Sequence, residues 1–195
     1  MAILSSTQYP QTNAVYHLMI DKLQGSYFID NYDIKKGLND MKMYTLTRYQ
    51  KLPVTPEEAW AFFSNPKQLG EITPDDMPFE MIGDGPPGMY AGMIIQYNIE
   101  PFPKFPVKWI TEITHVEEGK YFVDEQRFGP FKFWHHQHHF CDIEGGVEII
   151  DTVNFILPFS LIGRITHNLL VEGRLAEIFD FRQKTLKTAF GEMEN

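Results

Sequence analysis

Phe133-Trp134-His135-His136-Gln137-His138-His139-Phe140 holds four of the chain's seven histidines. Imidazole can ligate a metal, move a proton or hold a hydrogen bond near neutral pH, so the spacing has to decide. Side chains in a strand alternate faces. The octet then divides into Trp134, His136, His138 and Phe140 on one face and Phe133, His135, Gln137 and His139 on the other. Trp and Phe at its ends place the first set inward. Two histidines at i, i+2 sit roughly 7 Å apart along a strand, and an inward carboxylate can complete a metal site. Only His136 and His138 share the inner face, and His135 and His139 are too widely spaced to add to them, so no metal is expected. A histidine beside a carboxylate in an apolar hollow can also act as an acid–base pair. The reading that the sequence favours is a satisfied polar network that shapes a cavity and orients a ligand's polar end.

The carboxylates come from neighbouring strands. Val147, Ile149, Val153, Phe155 and Leu157 form one apolar face, and Asp151 stands on it. A lone carboxylate there is costly without a partner. Met93, Ile95, Tyr97 and Ile99 point inward on an earlier strand, and Trp109, Thr111 and Ile113 on the next. A two-residue turn at Glu118-Gly119 pairs Glu117 with Lys120. It sets Ile113 opposite Asp124, Thr111 opposite Gln126 and Trp109 opposite Phe128. Pairing across Gly145-Gly146, with Phe140 opposite Val147, sets His136 opposite Asp151. A bulge or wider turn at Gly129-Pro130 sets His136 against Asp124. The expected inner wall is Asp124, Gln126, His136, His138 and Asp151, amid Met93, Tyr97, Trp109, Trp134 and Phe155. A carboxylate beside a histidine favours imidazolium and burial opposes it, so coupling is expected and no particular charge state.

The elements that must position these groups follow from local signals. Residues 42–52 carry strand formers and stop at Pro53. Thr55-Pro56-Glu57-Glu58 is a helix start, with an N-cap hydroxyl, proline at the first position and acids at the positive dipole end. A second short helix is expected over 67–72. Strand-like runs follow at 77–82, 91–100, 107–116, 121–128, 131–141 and 147–157, several joined by short glycine turns that imply antiparallel hairpins. A glycine-rich loop at 83–88 can gate access, and 101–106 sets two phenylalanines among prolines, expected to pack on their own sheet. A long helix over 161–190 carries an apolar stripe of Ile165, Leu169, Leu175, Ile178, Phe179, Leu186 and Phe190, with Gly173 marking a close approach or a void. Residues 1–40 stand apart as an extension. They hold one short amphipathic helix (Val15, Leu18, Met19, Leu23) and read as an appendage, a docking arm or the product of a start codon chosen too early. The domain proper is 41–195.

Composition narrows the function classes. At 195 residues the chain suits one domain with a sizeable core. It is 43% hydrophobic, 22% charged and 14% aromatic, with 16 Phe and 9 Tyr, which suggests a bulky core or one that surrounds something apolar. A net charge of −9 disfavours nucleic acid and anionic membrane surfaces as partners. Cys141 is the single cysteine, so no internal disulfide forms. No basic segment leads into an apolar run at the start, and no stretch approaches ~18 apolar residues. A cytoplasmic protein without a signal peptide or stable membrane insertion is expected.

This order of elements resembles the START-type, helix-grip SRPBCC superfamily, which includes birch-pollen-allergen-like proteins. Pro56-Glu57-Glu58-Ala59-Trp60, Tyr90-Ala91-Gly92-Met93, Trp109-Ile110-Thr111-Glu112-Ile113 and Phe122-Val123-Asp124-Glu125-Gln126 resemble an uncharacterised bacterial, ligand-binding branch of it. Gly129-Pro130-Phe131, Trp134-His135-His136 with His138 and Phe140, Pro158-Phe159, and Phe179-Asp180-Phe181-Arg182 extend the likeness over about 41–191. The resemblance implies an α+β helix-grip fold: a curved seven-stranded antiparallel sheet around a long C-terminal helix, with two short helices after the first strand. It implies a cavity for a small hydrophobic or aromatic ligand of lipid, quinone or polyketide-like type, and no cofactor. The superfamily includes carriers, polyketide cyclases, hormone receptors and oxygenase subunits; the iron-site pattern of the last is absent here. The expected activity is binding, with Asp124, Gln126, His136, His138 and Asp151 at the ligand's polar end and Met93, Tyr97, Trp109, Trp134 and Phe155 along its apolar part. The alternatives are a cyclase or dehydratase using His136 with Asp124 or Asp151, and a partner-docking module with residues 1–40 as its arm.

Overall fold

The computed structural model describes residues 27–28, 42–85, 88–157 and 164–193. Its elements are β1 (Tyr27–Phe28), β2 (Met43–Leu52), α1 (Pro56–Phe63), a 3₁₀ turn (Pro66–Gly70), β3 (Phe79–Met81), β4 (Met93–Ile99), β5 (Val107–Glu117), β6 (Tyr121–Phe128), β7 (Phe133–Ile143), β8 (Gly146–Ile156) and α2 (Arg164–Phe190). The helix expected over residues 15–23 and the pair Pro158-Phe159 lie outside the described residues.

The strands form one curved antiparallel sheet in the order β1-β2-β8-β7-β6-β5-β4-β3. Seven of them, β2 to β8, are those read from the sequence; the two-residue β1 adds an eighth at the edge, with Tyr27 opposite Thr47 and Phe28 opposite Leu46. α1 begins as its sequence dictates. Thr55 Oγ1 accepts from Glu58 N at 3.2 Å, and Glu58 Oε2 accepts from Thr55 N at 2.9 Å, a reciprocal capping box with Pro56 at the first position. The second short helix is a 3₁₀ turn capped by Asn65.

Alternation along the strands holds. Trp134, His136, His138 and Phe140 are buried on β7, as are Val147, Ile149, Asp151, Val153 and Phe155 on β8. Two apolar clusters form against this inner face. Leu46, Trp134, Val153 and Phe155 pack on Val171, Leu175 and Phe179 of α2, while Ile95, Ile113, Phe122, Phe140 and Ile149 pack with Leu186 and with Ala59 of α1. At roughly 25 cal/mol per Å2 of apolar surface, such burial dominates stability. Gly173 is exposed and a Cβ there would meet nothing within 4 Å, so it marks neither a close approach nor an internal void.

The hairpins depart from the expected registers in instructive ways. His138, not His136, stands opposite Asp151, and Phe140 opposite Ile149. The β7–β8 turn is Glu144-Gly145, with Gly145 at φ 80°, and Gly146 belongs to β8 opposite Ile143. Gly146 lies so close to β2 that a Cβ would stand 2.1 Å from the Leu52 carbonyl oxygen. Because the difference is two residues, every face is preserved. Between β5 and β6, Glu117 pairs with Tyr121 across a three-residue turn, not with Lys120, and a bulge at Thr114 restores Ile113 opposite Asp124. A second irregularity leaves Arg127 between Gln126 and Phe128, so Ile110, not Trp109, stands opposite Phe128. Asp124 stands opposite His136, as the wider Gly129-Pro130 turn requires. Bulges bend a strand and raise its twist, and these two lie in the middle of the curved sheet.

Among the described residues no helix is long and apolar enough to cross a membrane.

Candidate functional site

A partly open cavity of about 650 Å3 lies between sheet and α2, with α1 and the 3₁₀ turn at its rim. Its walls are mainly aromatic and aliphatic. Trp109 meets Trp134 edge to face with centroids 5.2 Å apart, and Phe131 packs on both at 5.7 and 4.8 Å. Trp109 Nε1 donates to Thr111 Oγ1 at 3.0 Å, which fixes the indole. The loop after β4 contributes Pro101, Phe102 and Phe105. Arg174 of α2 ties that loop to the helix, donating to the Pro101 carbonyl at 2.9 Å while pairing with Asp76 at 3.0 Å.

One wall is ionisable. His136 Nε2 donates to Asp151 Oδ1 at 3.0 Å, and His138 Nε2 donates to Asp124 Oδ2 at 2.9 Å. The reverse contacts close a ring of four side chains: His136 Nδ1 to Asp124 Oδ2 at 3.3 Å and His138 Nδ1 to Asp151 Oδ1 at 2.8 Å. The last is near but badly aligned, so His138 Nδ1 is buried without a hydrogen bond. The imidazoles lie 3.7 Å apart between centroids, and Phe122 stacks on His138 at 4.1 Å. β7 supplies both histidines, β6 supplies Asp124 and β8 supplies Asp151. Asp151 reaches His136 diagonally from the neighbouring register position.

The electrostatics follow from this packing. Burial pushes the Asp124 and Asp151 carboxyls up, but the two imidazoles outweigh it and hold both well below the usual carboxylate range. Burial pulls His136 down, and Asp124 and Asp151 together more than reverse that, so its value is raised. Burial, then Asp124, push the Tyr97 phenol far above its ordinary value, so it stays a neutral donor.

Six of the ten candidate residues border the cavity: Tyr97, Trp109, Asp124, Trp134, His136 and His138. The other four do not. Met93 and Phe155 are fully buried in the packed core. Asp151 sits behind the histidines, beside a small crevice shared with Arg48 and Arg182. Gln126 is engaged elsewhere: its amide accepts from Phe131 N at 3.1 Å and donates to Phe131 O at 2.7 Å, clamping the wide turn before β7.

Asp124, His136 and His138 can present one donor atom each within 4.8 Å of one another, a spacing that a divalent ion can bridge. Binding would require His136 to release its proton and both histidines to exchange a carboxylate hydrogen bond for a metal bond.

Arg182 was not among the candidates. It is buried in the apolar face of α2, borders the cavity, and its Cζ lies 4.9 Å from the Phe179 ring centroid. Its signal was available: Val171, Leu175, Phe179, Arg182 and Leu186 follow helical spacing, so an arginine interrupts a buried stripe.

No family model matches the sequence, and no curated protein does. Solved structures do. A structural-genomics protein from Chromobacterium violaceum aligns with a TM-score of 0.58 at 12% identity, covering 76% of this chain and 99% of that one. A norcoclaurine synthase point mutant from Thalictrum flavum, in complex with a transition-state analogue, aligns at 0.54 and 16% identity over 78% of this chain and 99% of its own. Ara h 8.0201 aligns at 0.52 and 12% identity over 75% and 99%. At these identities the likeness establishes the fold alone, a curved antiparallel sheet around a long C-terminal helix in the helix-grip arrangement.

Proposed function

We propose that the protein binds a small apolar or aromatic molecule between sheet and α2, with the molecule's polar end against Asp124, His136 and His138. The observation that carries this is the cavity itself: about 650 Å3 of largely ring-lined space with its ionisable groups gathered on one wall. Pockets of this size suit drug-sized ligands, and a few convergent polar groups set their orientation. Tyr97, Trp109 and Trp134 flank the apolar part. The norcoclaurine synthase neighbour, in complex with a transition-state analogue, is a small-molecule complex of the same fold.

Native mass spectrometry of protein purified from its own host tests the reading. A co-purified apolar molecule is expected, displaced by Nile red with a matching change in tryptophan fluorescence. A chain that carries nothing and takes up no Nile red sinks it.

A second reading rests on the closed ring of His136, His138, Asp124 and Asp151. An imidazole held between two carboxylates and open to a cavity can shuttle a proton, as a cyclase or dehydratase requires. The His136→Gln variant separates the two. A carrier keeps most of its affinity, whereas an enzyme keeps binding and loses turnover.

A further inference from the structure

The two carboxylates of the ionisable wall come from the strands that flank β7, and they divide the imidazole nitrogens between them. Asp124 Oδ2 lies 3.3 Å from His136 Nδ1 and 2.9 Å from His138 Nε2. Asp151 Oδ1 lies 3.0 Å from His136 Nε2 and 2.8 Å from His138 Nδ1. Each ring therefore turns one nitrogen to each carboxylate. Asp124, His136 and His138 border the cavity, and Asp151 does not. One donor atom from each of the three bordering residues lies within 4.8 Å of the other two. Around a tetrahedral zinc, with metal–ligand distances of about 2.0–2.1 Å, the donors stand roughly 3.3 Å apart. Two histidines are few for such a site, but a carboxylate on the neighbouring strand supplies the third donor.

Asp151 occupies the place that supports a metal site from outside. A metal-bound histidine usually gives its other N–H to a carboxylate, which fixes the tautomer and the ring orientation. Here a single carboxylate oxygen meets the far nitrogen of both rings. Without a metal one of those contacts is poor. His138 Nε2 gives its proton to Asp124, and in the neutral ring a bare Nδ1 then faces Asp151 and makes no hydrogen bond. Ligation through Nε2 puts the proton on Nδ1, where it faces the carboxylate. Charge agrees, since two carboxylates balance a divalent ion, as burial requires. The aromatic surround keeps the coordination number low. Phe122 stacks on His138 at 4.1 Å, and the Trp134 and Phe179 rings stand 6.1 and 5.8 Å from His136. A four-coordinate ion needs one further donor, whereas an octahedral one needs three.

We infer that His136 Nδ1, His138 Nε2 and Asp124 Oδ2 bind one zinc-class divalent ion, with Asp151 holding both histidines from behind and a fourth position left toward the cavity. The hydrogen-bonded ring is the metal-free form of the same site. This goes beyond the cavity-binding reading and stands on the polar wall alone, whether or not an apolar molecule fills the hollow. Arg182, buried and bordering the same cavity, leaves one positive charge over, which favours an anionic oxygen in the fourth position.

The full chain, without a histidine tag and stripped of metal by EDTA, tests this by titration with Co2+ as a spectroscopic stand-in for Zn2+. Uptake of one ion per chain is expected, with the intense visible bands of four-coordinate cobalt, bleached when Zn2+ is added. Two slowly exchanging, hyperfine-shifted imidazole N–H protons should mark two histidine ligands whose far nitrogens rest on Asp151, a readout that needs no variant. Asp124→Asn and His138→Gln should each weaken binding more than about 100-fold, beyond the range for an outer partner. Asp151→Asn should keep the stoichiometry and weaken binding about 10- to 100-fold. His139→Gln, on the outer face of β7, should change nothing. No saturable uptake by the native chain, the faint spectrum of octahedral cobalt, or absence of the shifted N–H pair would overturn the inference. So would binding that survives His138→Gln and is lost in His139→Gln, the mark of adventitious capture by the outer histidines.

Discussion

The two faces of β7 carry the same residue type to opposite ends. On the inner face His136 and His138 stand between Asp124 and Asp151, away from water, in a ring of contacts of 2.8 to 3.3 Å. On the outer face His135 Nδ1 meets Glu125 at 3.0 Å, Gln137 Nε2 meets His135 Nε2 at 3.0 Å, and His139 Nε2 meets Gln137 Oε1 at 3.1 Å. Both rows are hydrogen-bonded, and distance alone does not tell them apart. Dielectric does: a pair near the surface is screened and interchangeable with water, whereas a buried pair leaves an uncompensated charge when one member goes.

Asp151→Asn sets the upper bound of that contrast. It leaves His136 and Arg182 facing a single carboxylate, and a loss of about 3–5 kcal/mol is expected from urea unfolding. A loss below ~1 kcal/mol would make the inner row no different from the outer.

The pH dependence of stability is the next test. Asp124 and Asp151 are depressed in the folded state, so their contribution is full above the unfolded value of about 3.9 and drains away as pH falls through the lower folded values. His136 is raised, so its contribution is full below about 6.5 and is lost as pH rises through the higher folded value. Unfolding midpoints across pH should therefore decline on both sides, and His136→Gln should flatten the alkaline side. An unchanged alkaline decline in that variant would remove His136 from its assigned place.

His139 sharpens the comparison further. Burial, then the neighbouring His138, lower its value, so its linkage has the opposite sign: it favours the folded state at high pH and opposes it as pH falls. Imidazole resonances followed by NMR should titrate above 6.5 for His136 and below it for His139, the two sides of the ordinary value. The smallest effect belongs to Glu125→Gln on the outer face, less than about 1 kcal/mol in the same urea experiment.

What the sequence disclosed and withheld has a physical pattern. Faces were legible because a strand has a period of two, and an error of two residues cannot turn a side chain over. Hence Asp151 came out inward although its partner across the ladder is His138. Registers were less legible because they depend on turn geometry that glycine-containing turns leave open. Ile113 does stand opposite Asp124, but through a three-residue turn offset by a bulge. Gln126 faces the expected neighbour, Thr111, yet its amide answers a local need, the exposed backbone of the wide turn at Phe131. Met93 and Phe155 point inward as read, but facing in does not distinguish packed core from cavity wall, which only the third dimension resolves. Arg182 escaped because a stripe defined by apolar residues passes over the cation embedded in it.

Thr114 and Arg127 have one more consequence. Each is an extra residue in its strand, at a place where the β5–β6 ladder breaks step, and neither borders the cavity. Deleting Thr114 would leave Ile113 facing Asp124 and Val116 facing Phe122, since those pairs already match across the gap. The strand would lose the bend and added twist that a bulge imposes. The curvature of the sheet at β5–β6 is thus set by single-residue insertions that do not themselves line the cavity.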